Sequence, residues 1–379
     1  MKKGKTMLNY TSIINSDKIK TNYYKIKKSK IILIGFLIVI LIQLLIFIYF
    51  CKFANILLIR ISDINNNNND KNENIKYRLK LEDEIFNEYI SQKYIYNQKY
   101  FCQNDIIFNN TLIEDKIKIV KANISNINFD MYVYKTNGFV SNSISDQGYY
   151  EFKETNSILS SLKYYSNKHN INNNKIYIID VGSNIGWYTF LLGKEGYNVL
   201  SFEPSKINYY ILLKTYCLNK NINVTIINKG LDNVEKKLAL YHPLNDIGNG
   251  VAFDGKNLLN LTNPFKEEIS TTKLDYYMDY LKSKHIALIK IDVEGSEGNV
   301  LKGGIDLIIK YHVPFIFMEW NPHYLKLKGT KPNLLLDILE NNGYKISIVD
   351  FLSRKYISKN ELLGLDIANI YIVYEKFLQ

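Results

Sequence analysis

Ile176-Tyr-Ile-Ile-Asp180-Val-Gly182-Ser183-Asn184-Ile-Gly186 is the stretch on which the fold turns. A β-branched run ends in an acid, a tight glycine turn follows, and an amphipathic segment from Trp187 to Lys194 reads as a helix. This is the first β-loop-α unit of a nucleotide-binding α/β sheet, in which glycines let the backbone approach a ligand at a helix N-terminus. The next short apolar strand, Asn198 to Phe202, delivers Glu203. That acid follows the loop by about 20 residues, where such sheets place the carboxylate that binds ribose hydroxyls.

The glycine spacing separates two ligand classes. A dinucleotide site has the pattern G-x-G-x-x-G, so that a pyrophosphate sits on the helix end. Here the order is D-x-G-x-N-x-G, with an acid before the first glycine and no third glycine at the usual place. No phosphate is implied, and the acid suits a cationic ligand such as S-adenosylmethionine, which carries an ammonium, a sulfonium and a ribose. The competing reading is a strand-turn-helix whose glycines serve packing alone.

A second signature is Ile286-Ala-Leu-Ile-Lys290-Ile291-Asp292-Val293-Glu294-Gly295-Ser296-Glu297. Another apolar strand ends in acids and a glycine, and a helix through Val300, Leu301, Ile305, Leu307 and Ile308 is expected after it. Val313 to Pro322 repeats the pattern, with Glu319 at the strand end. Strands with acids at their carboxyl ends point into one crevice, where open α/β sheets bind ligands.

DVGSNIGWYTF, SFEP, TTKLD, IKIDVEGSEGNVLKGG and FMEWNP occur in that order. In this the chain resembles the FkbM family of S-adenosylmethionine-dependent methyltransferases, over roughly residues 146–375. The resemblance implies a class I methyltransferase fold, Rossmann-like, with a seven-stranded mostly parallel sheet and a reversed last strand. It also implies methyl transfer, usually to a hydroxyl of a sugar or another small natural product. Asp180, Gly182, Asn184, Gly186 and Glu203 match cofactor positions. Asp292 and Glu294 match the acidic motif after the fourth strand, whose task the resemblance does not settle. Trp187 departs from the pattern, and either lines the methionine pocket or packs the first helix.

Ile31 to Phe50 holds twenty uncharged residues, with Gln43 the one strongly polar side chain. At about 1.5 Å per residue this spans the roughly 30 Å hydrocarbon layer. The run ends in bulky Tyr49-Phe50-Cys51-Lys52, unlike a cleaved signal peptide. Nine lysines and one acid precede it, which by the positive-inside rule leaves the N-terminus in the cytosol. The expected organisation is a basic cytosolic tail (1–30), a signal-anchor helix (31–50) in the lipid bilayer, an Asn-rich stem (51–120) and a catalytic domain (121–379). This is a single-pass type II membrane protein with a lumenal domain, at the Golgi or endoplasmic reticulum. Asn-x-Ser/Thr acceptors at Asn109, Asn123, Asn223 and Asn260 fit a lumenal domain weakly, because an Asn-rich chain produces such triplets by chance.

The formal charge of +11 resides mostly in the tail, since the remainder holds 39 basic and 36 acidic residues. Only Arg60, Arg78 and Arg354 are arginines, so the bidentate reader of phosphate and guanine is nearly missing. No nucleic-acid partner is expected.

Leu79 to Ile95 is a possible helix without an assigned task, and Met131-Tyr-Val-Tyr reads as a strand. Asp146-Gln-Gly-Tyr-Tyr150-Glu151 then leads to a helix through Ile158, Leu159, Leu162 and Tyr165, read either as a lid over the cofactor or as packing. Of the three cysteines, Cys51 sits at the membrane edge as a possible acylation site. Cys102 and Cys217 could pair in an oxidising lumen, but two free, partly buried thiols are expected. No metal-binding pattern is present.

Methyl transfer from a sulfonium is an in-line displacement that depends on positioning and on a base for the acceptor hydroxyl. Asp292, Glu294 and Glu319 are strand-end carboxylates that fit this work, or the binding of a metal or of the sugar's other hydroxyls. His323 and His242 are candidate bases, although a loop histidine is more often a surface residue, and Trp320 is a candidate to stack on a sugar ring. The expected function is an S-adenosylmethionine-dependent O-methyltransferase acting on a glycan or related small molecule. The alternatives are a membrane-anchored binding module with a dead Rossmann-like fold, or a nicotinamide-dependent sugar-modifying oxidoreductase.

Overall fold

A computed structural model describes residues 98–99, 101–102, 111–135, 138–243, 248, 250–253 and 265–379. The apolar run 31–50, its basic tail and the possible helix at 79–95 lie outside the described residues. Among the described residues no helix is long and apolar enough to cross a membrane.

After a one-turn helix (Thr111–Glu114) comes a hairpin, β1 (Ile117–Ile124) and β2 (Ile127–Tyr134), followed by helices α1 (Phe139–Gln147) and α2 (Phe152–His169). Then β3 (Ile176–Val181), α3 (Trp187–Lys194), β4 (Asn198–Phe202), α4 (Lys206–Leu218) and β5 (Val224–Ile227) form two β-α-β units. Strands β6 (Gly230–Leu231), β7 (Lys237–His242), β8 (Val251–Phe253) and β9 (Phe265–Thr272) interrupt the alternation. It resumes with β10 (His285–Ile291), α5 (Glu297–Lys302), α6 (Ile305–Lys310), β11 (Phe315–Trp320), α7 (Pro322–Leu327), α8 (Pro332–Asn341), β12 (Tyr344–Ser347) and β13 (Ala368–Tyr374).

The central sheet runs β12-β13-β11-β10-β3-β4-β5. Counted in chain order among these seven, that is 3-2-1-4-5-7-6, and only β13 is antiparallel to its neighbours. This is the class I methyltransferase arrangement. The order reverses between β3 and β10, so a crevice opens at their carboxyl ends. Side chains alternate along each buried strand. Ile176 and Ile178 enter one core while Ile179 and Val181 enter the other, as do Phe315 and Phe317 against Ile316 and Met318.

Helix α3 is buried from Trp187 through Gly193 rather than amphipathic, because the β1–β2 hairpin and α2 cover the face that would otherwise meet water. Phe129 of β2 packs 5.9 Å from Trp187, whose indole N–H donates to Thr155 of α2 at 3.0 Å. The helix expected to run from Val300 through Ile308 breaks into α5 and α6 at Gly303-Gly304. There the chain passes so close to Asp232 that a Cβ on Gly303 would lie 2.2 Å from its carbonyl oxygen.

The folded unit also takes in part of the stretch read as stem. Gln98 donates to the Val224 carbonyl at 3.1 Å and accepts from the Ile226 N–H at 2.9 Å, which satisfies the outer edge of β5. Phe101 meets Tyr210 edge-on at 5.8 Å, and Cys102 is bonded to Cys217 of α4. The free thiols expected there are therefore a disulfide, which no local sequence signal could reveal because the partners are 115 residues apart.

The unreduced, denatured full chain should show a single titratable thiol, Cys51, and three after reduction. Cys102→Ser should lower unfolding stability by about 2–5 kcal/mol, read from denaturant midpoints. Three thiols before reduction would remove the cross-link.

Candidate active site

The glycine turn after β3 is shaped by close approach. Gly182 has φ 72, and a Cβ there would sit 1.9 Å from the Asp292 carbonyl oxygen. Gly186 has φ 96, with Leu212 and Phe190 each 2.5 Å from where its Cβ would be. Asn184 also takes a left-handed conformation, φ 51, which turns its N–H onto Glu203 Oε2 at 2.8 Å. The other oxygen of Glu203 accepts from the Ser205 N–H at 2.9 Å. Each carboxylate oxygen has two acceptor positions, so Glu203 can still accept ligand hydroxyls. Burial pushes its carboxyl up to about 7, against the pull of those two N–H donors.

Asp180 is fully buried beneath this turn. It accepts from Thr189 Oγ1 at 2.5 Å and faces Lys290 Nζ at 3.8 Å. Burial still holds its carboxyl above the ordinary range. Lys290 lies beside Asp180 in the β3–β10 register. Its ammonium donates to the Gly182 carbonyl at 2.8 Å and approaches Asp292 at 3.4 Å. Burial alone would depress the lysine, but the charges of Asp292 and Asp180 outweigh it and keep it protonated.

After β10 the chain turns through Glu294 (φ 53) and Gly295 (φ 92). Glu297 holds that turn. Its Oε1 accepts from the N–H groups of Val293 and Gly295, both at 3.0 Å, while its buried Oε2 has no hydrogen-bond partner. Burial pushes this carboxyl up to about 7. The Ser296 side chain makes no cap hydrogen bond to α5.

A cavity of about 420 Å³ occupies the crevice, within the range of small-molecule sites. Gly182, Asn184 and Glu203 form one wall, and Lys290, Asp292, Glu294 and Glu319 another. Leu238, Leu240, Ile269 and Thr271 of the inserted strands close one end, while Tyr150, Glu151 and Tyr188 stand near the glycine turn. Asp180 and Gly186 do not line the cavity; they shape the turn that does. Glu319 is half-buried, and burial followed by the charges of Asp292 and Glu294 pushes it up to about 8.

The histidines and the tryptophan stand elsewhere. His323 is exposed at the start of α7 and off the cavity wall. His242 is buried against Glu267 at 2.8 Å, and Glu267 also accepts from the Lys206 N–H at 3.0 Å, tying β7 and β9 to α4. Trp320 is fully buried and donates to the Leu362 carbonyl at 3.0 Å. The aromatic surface at the mouth comes instead from Phe139 and Tyr150, edge to face at 6.1 Å. Trp187 both packs and lines the cavity. Sequence reasoning left out Lys290, Glu151 and Glu297, although the first and last stand inside the second signature. Among the described residues no group of three or more His, Cys, Asp or Glu could hold a metal ion.

Residues 180–346 match the methyltransferase FkbM domain. Methyltransferase sdnD of Sordaria araneosa is 26% identical over 199 residues, covering 45% of this chain and 74% of that protein. Among solved structures, the T. thermophilus 16S rRNA N2 G1207 methyltransferase RsmC aligns at 11% identity and TM-score 0.32, over 68% of this chain and 50% of RsmC. The bifunctional kinase-methyltransferase WbdD aligns at 10% identity and TM-score 0.34, over 58% of this chain and 38% of WbdD. At such scores the strand order, not the likeness, carries the fold assignment.

Glu319 binds its proton more tightly when folded (about 8) than in the unfolded chain (near 4.5), so its ionisation opposes folding. Its contribution is most favourable below about pH 4.5 and is lost as pH rises through 8; Glu203 and Glu297 act in the same direction. Glu319→Gln should therefore raise Tm relative to wild type at pH 8.5 but not at pH 5. Equal shifts at both pH values would show that the carboxyl ionises normally.

Proposed function

We propose that the chain is an S-adenosylmethionine-dependent O-methyltransferase whose acceptor is a hydroxyl of a sugar, glycan or related small molecule. One observation carries the donor half. In the crevice where the strand order reverses, a glycine turn that tolerates no Cβ lies against a buried acid, Glu203, through the Asn184 N–H.

The residues present fit the donor. Gly182 and Asn184 offer close backbone approach, Glu203 has acceptor positions for ribose hydroxyls, and Leu238, Leu240 and Ile269 suit a purine face. Bound there, S-adenosylmethionine supplies an electrophilic methyl group. The chain's own groups then hold an acceptor oxygen in line with it, which is where most of the acceleration in such displacements arises. Asp292, Glu294 and Glu319 face the cavity as partners for the acceptor's hydroxyls.

The topology reading joins this proposal: an N-terminal anchor at 31–50 in the lipid bilayer and a lumenal domain in the Golgi or endoplasmic reticulum. The Cys102–Cys217 disulfide supports it, since such bonds persist in oxidising compartments. Asn123 supports it as well, lying exposed beside the turn of the β1–β2 hairpin.

Calorimetric titration should show S-adenosylhomocysteine binding to wild type, weakened by about 1–3 kcal/mol in Glu203→Ala, the scale of a buried charge-assisted contact. Stabilisation by NAD with no response to the nucleoside would favour the oxidoreductase instead. Asp292→Asn or Glu294→Gln should lower turnover by about 10²-fold with little change in nucleoside affinity; near-normal turnover in both would leave these acids a structural role. In sealed microsomes, added protease should spare the C-terminal domain and remove an N-terminal tag. The opposite pattern would place the domain in the cytosol.

A further inference from the structure

Of the three carboxylates expected to take the acceptor's proton, Asp292 and Glu319 are each otherwise committed. Asp292 is paired with Lys290 at 3.4 Å, and its side chain is 38% exposed. That carboxylate is thus already engaged by an ammonium. Glu319, pushed up to about 8 by burial and then by Asp292 and Glu294, is mostly protonated near neutral pH and donates rather than accepts. His323 stands off the cavity.

Glu151 differs from all of these. It immediately precedes α2 with φ 45 and ψ 60, a left-handed conformation that an L side chain rarely adopts. Conformations of this kind cluster at active sites, where the surroundings over-determine them. Its side chain lines the cavity beside the glycine turn. Glu151 Oε2 accepts from the Tyr188 hydroxyl at 2.6 Å. The other charges that face it are Asp292, Lys290 and Glu154. Burial makes the carboxyl more basic than an ordinary glutamate, while the Tyr188 hydrogen bond and Lys290 favour its ionised form. A carboxyl made more basic by burial, held by a hydroxyl donor and standing on the cavity wall, suits proton abstraction. Tyr188 is itself pushed upward by burial and by Glu151, so it stays protonated and serves as the donor.

We propose that Glu151 is the general base of the reaction and that Tyr188 is its positioning residue; this rests on the methyltransferase reading above. The Glu151 carboxylate takes the proton of the acceptor hydroxyl as the oxygen bonds to the methyl carbon. The carbon–sulfur bond breaks, and its electron pair goes to sulfur and cancels the sulfonium charge. The products are a methyl ether, a neutral thioether and protonated Glu151, which returns its proton to water through the cavity mouth. Lys290 keeps its charge throughout.

The test uses the full chain with calorimetric titration of S-adenosylhomocysteine and labelled methyl transfer to a glycan panel. Glu151→Gln should bind the nucleoside within about threefold of wild type, unlike Glu203→Ala, yet lose about 10²-fold or more in kcat. Glu151→Asp, which retains a carboxylate, should recover part of that loss. Tyr188→Phe removes a hydrogen bond to the ionised form, so the acid limb of its kcat–pH profile should move to higher pH. The proposal is overturned by near-normal turnover in Glu151→Gln, or by an unmoved limb in Tyr188→Phe. A loss of nucleoside affinity in Glu151→Gln matching that of Glu203→Ala would also overturn it, by placing Glu151 on the donor. Wild type that binds no nucleoside removes the reaction and the base with it. Wild type that binds the nucleoside but methylates no glycan ends the sugar acceptor alone, and the affinity of Glu151→Gln then decides on which side of the site Glu151 stands.

Discussion

The backbone of Gly182 lies against the carbonyl of Asp292 with no space for a single carbon between them. That contact joins the ends of β3 and β10, the two strands between which the sheet order reverses. Two sequence signatures more than a hundred residues apart thereby share one crevice. Lys290 closes the same junction from below, because its register with Asp180 puts its ammonium within reach of the Gly182 carbonyl and of two acids. The left-handed turn at Asn184, and with it the N–H that reaches Glu203, continues from this junction.

The second constraint is charge. Six carboxyl groups line the cavity (Glu151, Glu203, Asp232, Asp292, Glu294 and Glu319), with Lys290 the one basic side chain among the lining residues. Burying ionised carboxylates without partners is unfavourable, and the site answers in two ways. Glu203 takes backbone N–H donors, and Glu319 retains its proton to about 8. Glu267, just outside the cavity, shows a third outcome. Burial would raise it, but hydrogen bonds from His242, Ser205 and the Lys206 backbone hold it below the usual range, as befits a strut between the inserted strands and α4.

The central sheet was legible because its strands are short apolar runs that end in acids or glycine, and β3, β4, β10 and β11 all fall where those runs lie. Glu203 was legible for the same reason. What escaped was set by tertiary contact. Helix α3 looked amphipathic because nothing local reveals the hairpin that covers it. The expected long helix broke at Gly303 because Asp232 passes close by. Strands β6 to β9 close one end of the cavity, yet they mix polar and apolar residues and lack the apolar runs of the central strands. Trp320 and His242 resembled ligand-facing residues from their neighbours in sequence, and each is consumed by a buried hydrogen bond instead. Glu151 sits at no strand end, so the rule that found the other acids passed over it.

Gln98 has a practical meaning beyond its two hydrogen bonds. Strand β5 is the last of its sheet, and an unpaired strand edge is a template for pairing with another chain. The amide of Gln98 occupies that edge as a short stretch of strand would, and the neighbouring disulfide fastens the segment in place. A fragment begun at residue 121, where the sequence suggests the catalytic domain starts, would leave β5 bare, leave Cys217 without its partner and cut β1 in half. The enzyme-sized piece of this chain therefore starts before residue 98, and fragments cut shorter invite edge-to-edge aggregation for a reason unrelated to chemistry.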